Sequence, residues 1–103
     1  MGAFSAASQF TTVGNYAVPS VGPNGEFAVT WQNPAGGQGP GFALFDRDLN
    51  GLVGGLNFGA DTVITMTNFG GFDFIPATPN RSAFASPYVA YDLSTGPHRG
   101  RLY

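Results

Sequence analysis

The chain has 103 residues, of which 43% are hydrophobic and 10% are charged, and its formal net charge is −2. This length suits one small domain, and the charge gives no electrostatic reason to expect a nucleic acid or an anionic membrane as a partner. The absence of cysteine excludes disulfide bonds and cysteine-based zinc sites. No window approaches the roughly 18 apolar residues of a membrane span. No signal peptide is recognisable in residues 1–10.

Short β-rich runs, separated by turn signals, follow one another along the whole chain. Sixteen glycines and eight prolines leave no long window with helical periodicity. The pattern therefore predicts an all-β fold of antiparallel hairpins. Asn-Gly pairs in PNGE (23–26) and LNGL (49–52) predict tight turns, because this pair tolerates positive φ. The predicted strands are EFAVTWQ (26–32), GFALFD (41–46), LVGGLNF (52–58), DTVITMTN (61–68), SPYVAYD (86–92) and GRLY (100–103).

A faint internal repeat divides the chain into two units. Pro19-x-Val21 and Pro87-x-Val89 each lead through a turn into a second strand. Strand-turn-strand units that recur in this way indicate propeller-like blades or stacked sheets, although two hairpins of any all-β protein could share these residue types by chance. Residues 70–85 contain two prolines and are predicted to be irregular rather than a central strand. The resulting hypothesis is a blade-like unit over 1–67, a crossing segment over 68–86, and an incomplete second unit over 87–103.

Three stretches carry a family resemblance. PSVGPNGEFAVTWQ (19–32), followed by GFALFDRDLNGLVGGLNFGADTVIT (41–65), resembles a repeat of large secreted bacterial proteins. YVAYDLSTGPHRGRLY (88–103) resembles a blade of sialidase-like β-propellers. The resemblance implies an extracellular or cell-surface bacterial propeller, of which this chain is a piece. Neighbouring blades or chains would cover its open sheet edges, and carbohydrate would be its ligand class.

The resemblance covers structural motifs and not the catalytic ones. The sialidase Asp-box, Ser-x-Asp-x-Gly-x-x-Trp, is absent, and DFIP (73–76) has Phe74 where the family's Arg-Ile-Pro element has its substrate-binding arginine. No catalytic residue is assigned, and the predicted role is structural or ligand-binding. Two alternatives stay open at this point. One is part of an exo-alpha-sialidase-like glycosidase whose catalytic groups lie mostly elsewhere, and the other is a calcium-stabilised adhesive module.

The candidate metal ligands are Asp46, Asp48 and Asn50, which alternate before Gly51. Calcium takes about six to eight oxygen ligands, and its loop of about 12 residues closes with a bidentate glutamate. Counted from Asp46, that closing position is Asn57, a neutral amide. The favoured interpretation is therefore a hairpin turn, in which aspartate and asparagine bond the backbone and glycine supplies a positive φ. No cofactor is predicted, and calcium is the alternative.

The candidate ligand-binding residues are Arg99, Arg101 and Trp31. The two arginines flank Gly100 and would share one face of a strand, where they could bind a carboxylate or a sulfate. The competing interpretation is a solvated strand edge. Trp31, on one face with Phe27, is suited either to stacking on a sugar or to packing in the core.

The stretch from Asp92 to His98 also contains Ser94, so it holds the three residue types of a hydrolytic triad. A triad needs side chains that converge from separate elements. These three residues lie on one short stretch, which favours a local turn started by Asp92.

Overall fold

The computed structural model describes residues 9, 11–12, 14–34, 39–51, 54–55 and 57–103. These residues form an antiparallel all-β fold, which confirms the predicted fold class at this level, and none of them lies in a helix that could span a bilayer. One sheet has four strands in chain order, and a separate sheet has two. The strands of the first are β1 (Asn15–Val21), β2 (Phe27–Asn33), β3 (Gly41–Asp48) and β4 (Thr62–Thr67); those of the second are β5 (Asp73–Ile75) and β6 (Thr78–Ala83).

The PNGE turn joins β1 to β2 as predicted. Gly22 N donates to Glu26 O at 2.7 Å, and Gly25 N donates to Gly22 O at 3.1 Å. The Glu26 carboxylate also accepts the side-chain amide of Asn24 at 2.8 Å and the backbone N–H of Asn24 at 2.9 Å. These bonds close the turn and set the register that places Val21 opposite Phe27.

The core lies on one face of the four-stranded sheet and is centred on β2. Val29, Trp31 and Leu44 are buried together, because Trp31 lies opposite Leu44 in the β2–β3 ladder. The partly buried rings that surround them are those of Phe27, Phe42 and Phe58. Phe58 follows β3 in the chain and contacts Phe27 edge-on, with ring centroids 5.8 Å apart.

Residues 87–91 cover the opposite face of the same sheet. The Thr30 hydroxyl donates to Pro87 O at 3.1 Å, and Tyr91 N donates to the Ser20 hydroxyl at 3.1 Å. Val89 is buried beside these bonds. As a result, all five residues 28–32 of β2 are buried, whether their side chains lie on the core face or on the opposite face.

Two predicted strands at the C-terminal end form a short ladder and not two full strands. Ala90 and Tyr103 exchange two backbone hydrogen bonds, Ala90 N to Tyr103 O at 3.0 Å and Tyr103 N to Ala90 O at 2.9 Å. Tyr91 and Leu102 form an isolated antiparallel bridge between them. The pairing predicted for SPYVAYD and GRLY is thus present only over residues 90–92 and 101–103.

One prediction for the connecting segments is wrong, and a second holds only in part, because residues 70–85 contribute no strand to the large sheet but are not irregular throughout. The strand predicted over 52–58 is absent at its described residues, 54–55 and 57–58, while residues 52, 53 and 56 lie outside the described part. Residues 70–85 are not irregular throughout, because they contain the β5–β6 hairpin with its turn at Pro76 and Ala77. Pro79 is tolerated in β6 because it lies where the ladder is irregular, between the Ile75–Thr78 and Phe74–Ser82 pairs.

Candidate functional site

Two buried carboxylates lie on one face of the sheet near the end of β3. Asp46 and Asp48 alternate along the strand and face the core side of the sheet, opposite Val29 and Phe27 respectively. Asp46 is 5% exposed and Asp48 is 2% exposed. A carboxylate is tolerated in such a place only when its oxygens accept hydrogen bonds, so the partners of these two groups decide what the site does.

Those partners are backbone N–H groups, one within β3 itself and three in the loop that follows it. Asp48 Oδ1 accepts Asn50 N at 2.8 Å, and Asp48 Oδ2 accepts Asn57 N at 2.5 Å. Asp46 Oδ1 accepts Arg47 N at 2.6 Å and Gly59 N at 3.3 Å. The first bond is the side-chain turn that the sequence predicts. The bonds to residues 57 and 59 add a second role, because they tie the far end of the loop back to β3.

The predicted metal ligands are only partly brought together. Asp46 and Asp48 share the buried face, whereas Asn50 is exposed in the turn. Asp46 Oδ2 is buried and has no hydrogen-bond partner among the described residues. That part of the chain contains no group of three or more His, Cys, Asp or Glu side chains that could hold a metal. The geometry supports the turn. One observation, the buried Asp46 Oδ2 without a hydrogen-bond partner among the described residues, still favours the calcium hypothesis.

The hydrogen bond from Asn57 N, assisted by those from Asn50 and Gly51, holds the pKa of Asp48 below its usual value, against the opposing effect of burial. A carboxyl with a lowered folded-state pKa stabilises the fold above its unfolded pKa, and this contribution is lost as the pH falls through the folded value.

We therefore expect the urea midpoint to fall as the pH drops below about 4, which is the ordinary aspartate value. Asp48→Asn should reduce the fall without abolishing it, because the pKa values of Glu26 and Asp92 are also lowered. Urea titrations at neutral and acid pH would check this. Asp61→Asn, at an exposed position of the same loop, is the matched control and should keep the full fall. An Asp48→Asn curve parallel to that of the native chain would contradict the assignment.

The three predicted ligand-binding residues have different fates in the structure. Trp31 is fully buried in the core, so the sugar-stacking alternative is corrected: the indole has no open face for a ligand. The Arg99 guanidinium donates to Leu93 O at 2.8 Å and to Ser94 O at 3.0 Å, closing its own loop. Arg101 is exposed at the start of the short ladder. The two arginines do not lie on one regular strand, because residues 97–100 form a turn.

The loop after Asp92 is built as a turn. Asp92 Oδ1 accepts Ser94 N at 2.7 Å, and the Ser94 hydroxyl accepts Gly96 N at 3.2 Å. Hydrogen bonds from the Ser94 hydroxyl and N–H hold the pKa of Asp92 below its usual value. Both side chains are engaged locally and His98 is exposed, so the arrangement is that of consecutive polar turns and not of a nucleophile with its base.

Two structural anchors, Gln32 and Asp73, were not identified from the sequence. The buried Gln32 amide donates to Phe69 O and Gly70 O, each at 2.8 Å. Asp73 accepts Gly39 N at 2.7 Å and also accepts Gly70 N. Together they fix the segment after β4 to the end of the sheet. A glutamine at the end of the strand sequence FAVTWQ was the available signal for the first, whereas no local pattern marks Asp73 as an anchor.

Two adjoining shallow grooves lie where β4 meets the C-terminal segment. They have volumes of about 340 and 300 Å³, and Ile64 and Tyr88 line both. Neither is lined by an aspartate, a glutamate or a histidine. These two grooves therefore offer surface for contact but no pair of groups for acid–base chemistry.

The sequence motifs are the sole support for a relationship between this chain and a known protein family. The resemblance of residues 19–32, 41–65 and 88–103 to propeller repeats stays a prediction. No family model matches the chain, and comparison with curated proteins and with solved structures finds no similar protein.

Proposed function

We propose that the chain is a non-catalytic structural module of a secreted or cell-surface bacterial β-propeller of the sialidase-like type. The supporting observation is the four-stranded antiparallel sheet, whose strands follow one another in chain order and whose second strand is covered on both faces. A blade of a β-propeller is a four-stranded sheet of this kind. In this proposal residues 15–67 supply one blade, and neighbouring blades cover what it leaves exposed.

The side chains support a structural role over a catalytic one. Glycoside hydrolysis needs two carboxyl groups about 5–10 Å apart that face a substrate. The paired carboxylates of β3, Asp46 and Asp48, face the core and accept backbone N–H groups of their own loop. Arg99 and Arg101 are both exposed, but the Arg99 guanidinium donates to two carbonyl oxygens of its own loop, which favours a structural role for it.

Activity and coding context together test this proposal. The purified chain is expected not to hydrolyse a fluorogenic sialoside above the rate in buffer, with a bacterial sialidase as the positive control. The coding sequence on either side is expected to contain further Pro-x-Val hairpins without Arg-Ile-Pro or Asp-box elements. Flanking Arg-Ile-Pro and Asp-box elements would replace the proposal with the glycosidase alternative. Flanking sequence that codes for no β-rich repeats would remove both.

A calcium-stabilised adhesive module is the second candidate, and Asp46 Oδ2 is the observation that favours it. This oxygen is buried, shares a face of β3 with the Asp48 carboxylate, and lacks a hydrogen-bond partner among the described residues. A cation there would satisfy it. Against this, calcium needs about six to eight oxygens, and both oxygens of Asp48 already accept N–H groups.

We therefore expect millimolar calcium to leave the melting temperature unchanged. The measurement is a thermal melt, followed by circular dichroism, with calcium and with a chelator. Asp46→Asn removes the candidate ligand, and Asp61→Asn, exposed on the same loop, is the matched control. A calcium-dependent rise that Asp46→Asn abolishes and Asp61→Asn retains would favour the calcium module.

A further inference from the structure

The outer strand of the large sheet, β4, is exposed at five of its six residues. It is the edge of the β1–β2–β3–β4 order, so one row of its backbone groups has no strand beside it in the described part of the chain. Val63, Ile64 and Met66 are 56%, 54% and 62% exposed. The strand contains no charged residue, no proline and no glycine. Charges and prolines on an edge are the usual protection against pairing with another chain, and β4 has neither.

The opposite edge, β1, is protected. Pro19 lies within it and has no N–H to donate. Tyr16 has a φ of 57°, which lies in the left-handed region that a regular strand does not adopt. Each edge strand has one irregular ladder position, so Pro19 and Tyr16 are what distinguish β1 from β4. The Tyr16 ring stacks on Phe84, with ring centroids 4.1 Å apart, which holds this distorted part of the edge in place. The sheet thus has one edge that can accept a strand and one that cannot extend regularly.

We propose that β4 pairs with β4 of a second copy of this chain, antiparallel and about a two-fold axis. With a single competent edge, head-to-tail growth from β4 to β1 is disfavoured, and pairing of like edges forms a closed dimer. This inference goes beyond the proposed function and does not depend on it.

Charge selects the antiparallel direction. Asp61 immediately precedes β4 and is exposed. A parallel, in-register pair would place the two Asp61 carboxylates side by side, which is destabilising. An antiparallel pair centred on Thr65 instead places Asp61 opposite the uncharged Phe69 of the second copy, and Ile64 opposite Met66. The irregular position of the β3–β4 ladder, between Ala43 and Leu44, leaves Ile64 without a β3 partner. The new pairing would then bury an apolar side chain that the sheet leaves exposed.

A charge placed on each edge in turn tests the inference. The native chain is expected to convert from monomer to dimer with rising concentration, measured by sedimentation velocity. Ile64→Lys should keep the chain monomeric, because a lysine on an edge strand opposes pairing. Val21→Lys, at an exposed apolar position of β1, is the matched control and should dimerise like the native chain. A native chain that stays monomeric, or a dimer that Ile64→Lys leaves intact, would overturn the proposal.

Cross-linking provides a second measurement that needs no charge in the strand. The chain has no cysteine, so a single introduced thiol reports on one position. Residues opposite each other in an antiparallel pair have Cα atoms about 4.5–5.5 Å apart, within reach of a disulfide. Under mild oxidation Thr65→Cys is expected to form covalent dimers at least tenfold faster than Val21→Cys. Equal rates for the two variants would contradict β4 pairing.

Discussion

Replacing Trp31 by alanine is expected to lower the free energy of unfolding by about 4 kcal/mol, since large-to-small substitution of a buried aromatic residue costs about 3–5 kcal/mol. Trp31 is fully buried at the centre of the core and packs with Val29 and Leu44. The packing is tight above the ring as well, because a Cβ on Gly14 would lie 2.5 Å from Trp31 Cδ1. Domains of this size have about 5–15 kcal/mol of stability, so the loss would remove much of it.

Urea unfolding followed by far-ultraviolet circular dichroism measures this effect, because Trp31 is the single tryptophan and the variant has no indole fluorescence. Phe74→Ala is the matched aromatic control. Phe74 is 57% exposed, and its loss should change the stability by no more than about 0.5 kcal/mol. Trp31→Phe should fall between the two and keeps the test usable if the alanine variant does not fold. Equal midpoints for Trp31→Ala and Phe74→Ala would show that Trp31 is not the centre of the core.

Replacing Gly51 by alanine is the second large effect, with an expected loss of about 3 kcal/mol from strain and overpacking together. Gly51 is buried in the turn after β3, with a φ of 23°. A Cβ there would lie 2.7 Å from Phe27 N and would also overlap Gly25 O, which are backbone atoms that cannot rotate away. The turn after β3 therefore packs directly on the turn between β1 and β2.

Substitutions at two neighbouring glycines, Gly54 and Gly55, separate the steric clash of an added Cβ from the strain of a positive φ. Gly54 has a φ of 107°, but a Cβ added there would meet no atom within 4 Å, so Gly54→Ala should cost about 1 kcal/mol from conformation alone. Gly55 also has open space around it and no positive φ, so Gly55→Ala should be neutral within about 0.5 kcal/mol. Chemical denaturation of the three variants gives the comparison. A Gly51→Ala loss no larger than that of Gly54→Ala would contradict the packing of the two turns.

Local sequence patterns are sufficient to predict the strands β2, β3 and β4 of the large sheet. The alternation in EFAVTWQ, the apolar run GFALFD and the β-branched run DTVITMTN correspond to these three strands. The Asn-Gly pair of PNGE correctly predicts the β1–β2 turn, because that turn depends on residues 22–26 alone. In each case the signal and the structure span the same few residues.

The loop after β3 could not be predicted in full because its determinants are distant along the chain. The alternating oxygens of Asp46 and Asp48 are visible in the sequence, and the turn at Asn50 follows from them. The bonds that Asn57 N and Gly59 N donate to these carboxylates connect residues 9 and 13 positions apart, and they hold residues 57 and 59 against β3. No pattern within residues 52–58 encodes those bonds, so the β-rich composition of this segment predicts a strand that its described residues do not form.

The β5–β6 hairpin and the burial of Trp31 could likewise not be predicted from local sequence patterns. Two prolines argue against strands over 70–85, but a two-stranded sheet has no central strand and tolerates Pro79 at an irregular position. An aromatic residue in an alternating strand is consistent with a core or with a binding platform. The choice depends on what covers that face, and Phe58, which comes 27 positions after Trp31, is part of the answer.

The strands of the large sheet differ in burial, and this difference predicts different rates of amide hydrogen exchange. β2 is buried along residues 28–32, whereas five of the six residues of β4 are exposed and the sixth is half-buried. Amides of β2 should therefore exchange with solvent hydrogen only when the whole domain unfolds, and those of β4 through local opening at much lower free energy. The sheet would then behave as a rigid inner ladder with a labile outer strand, and the labile strand is the one that is free to change partners.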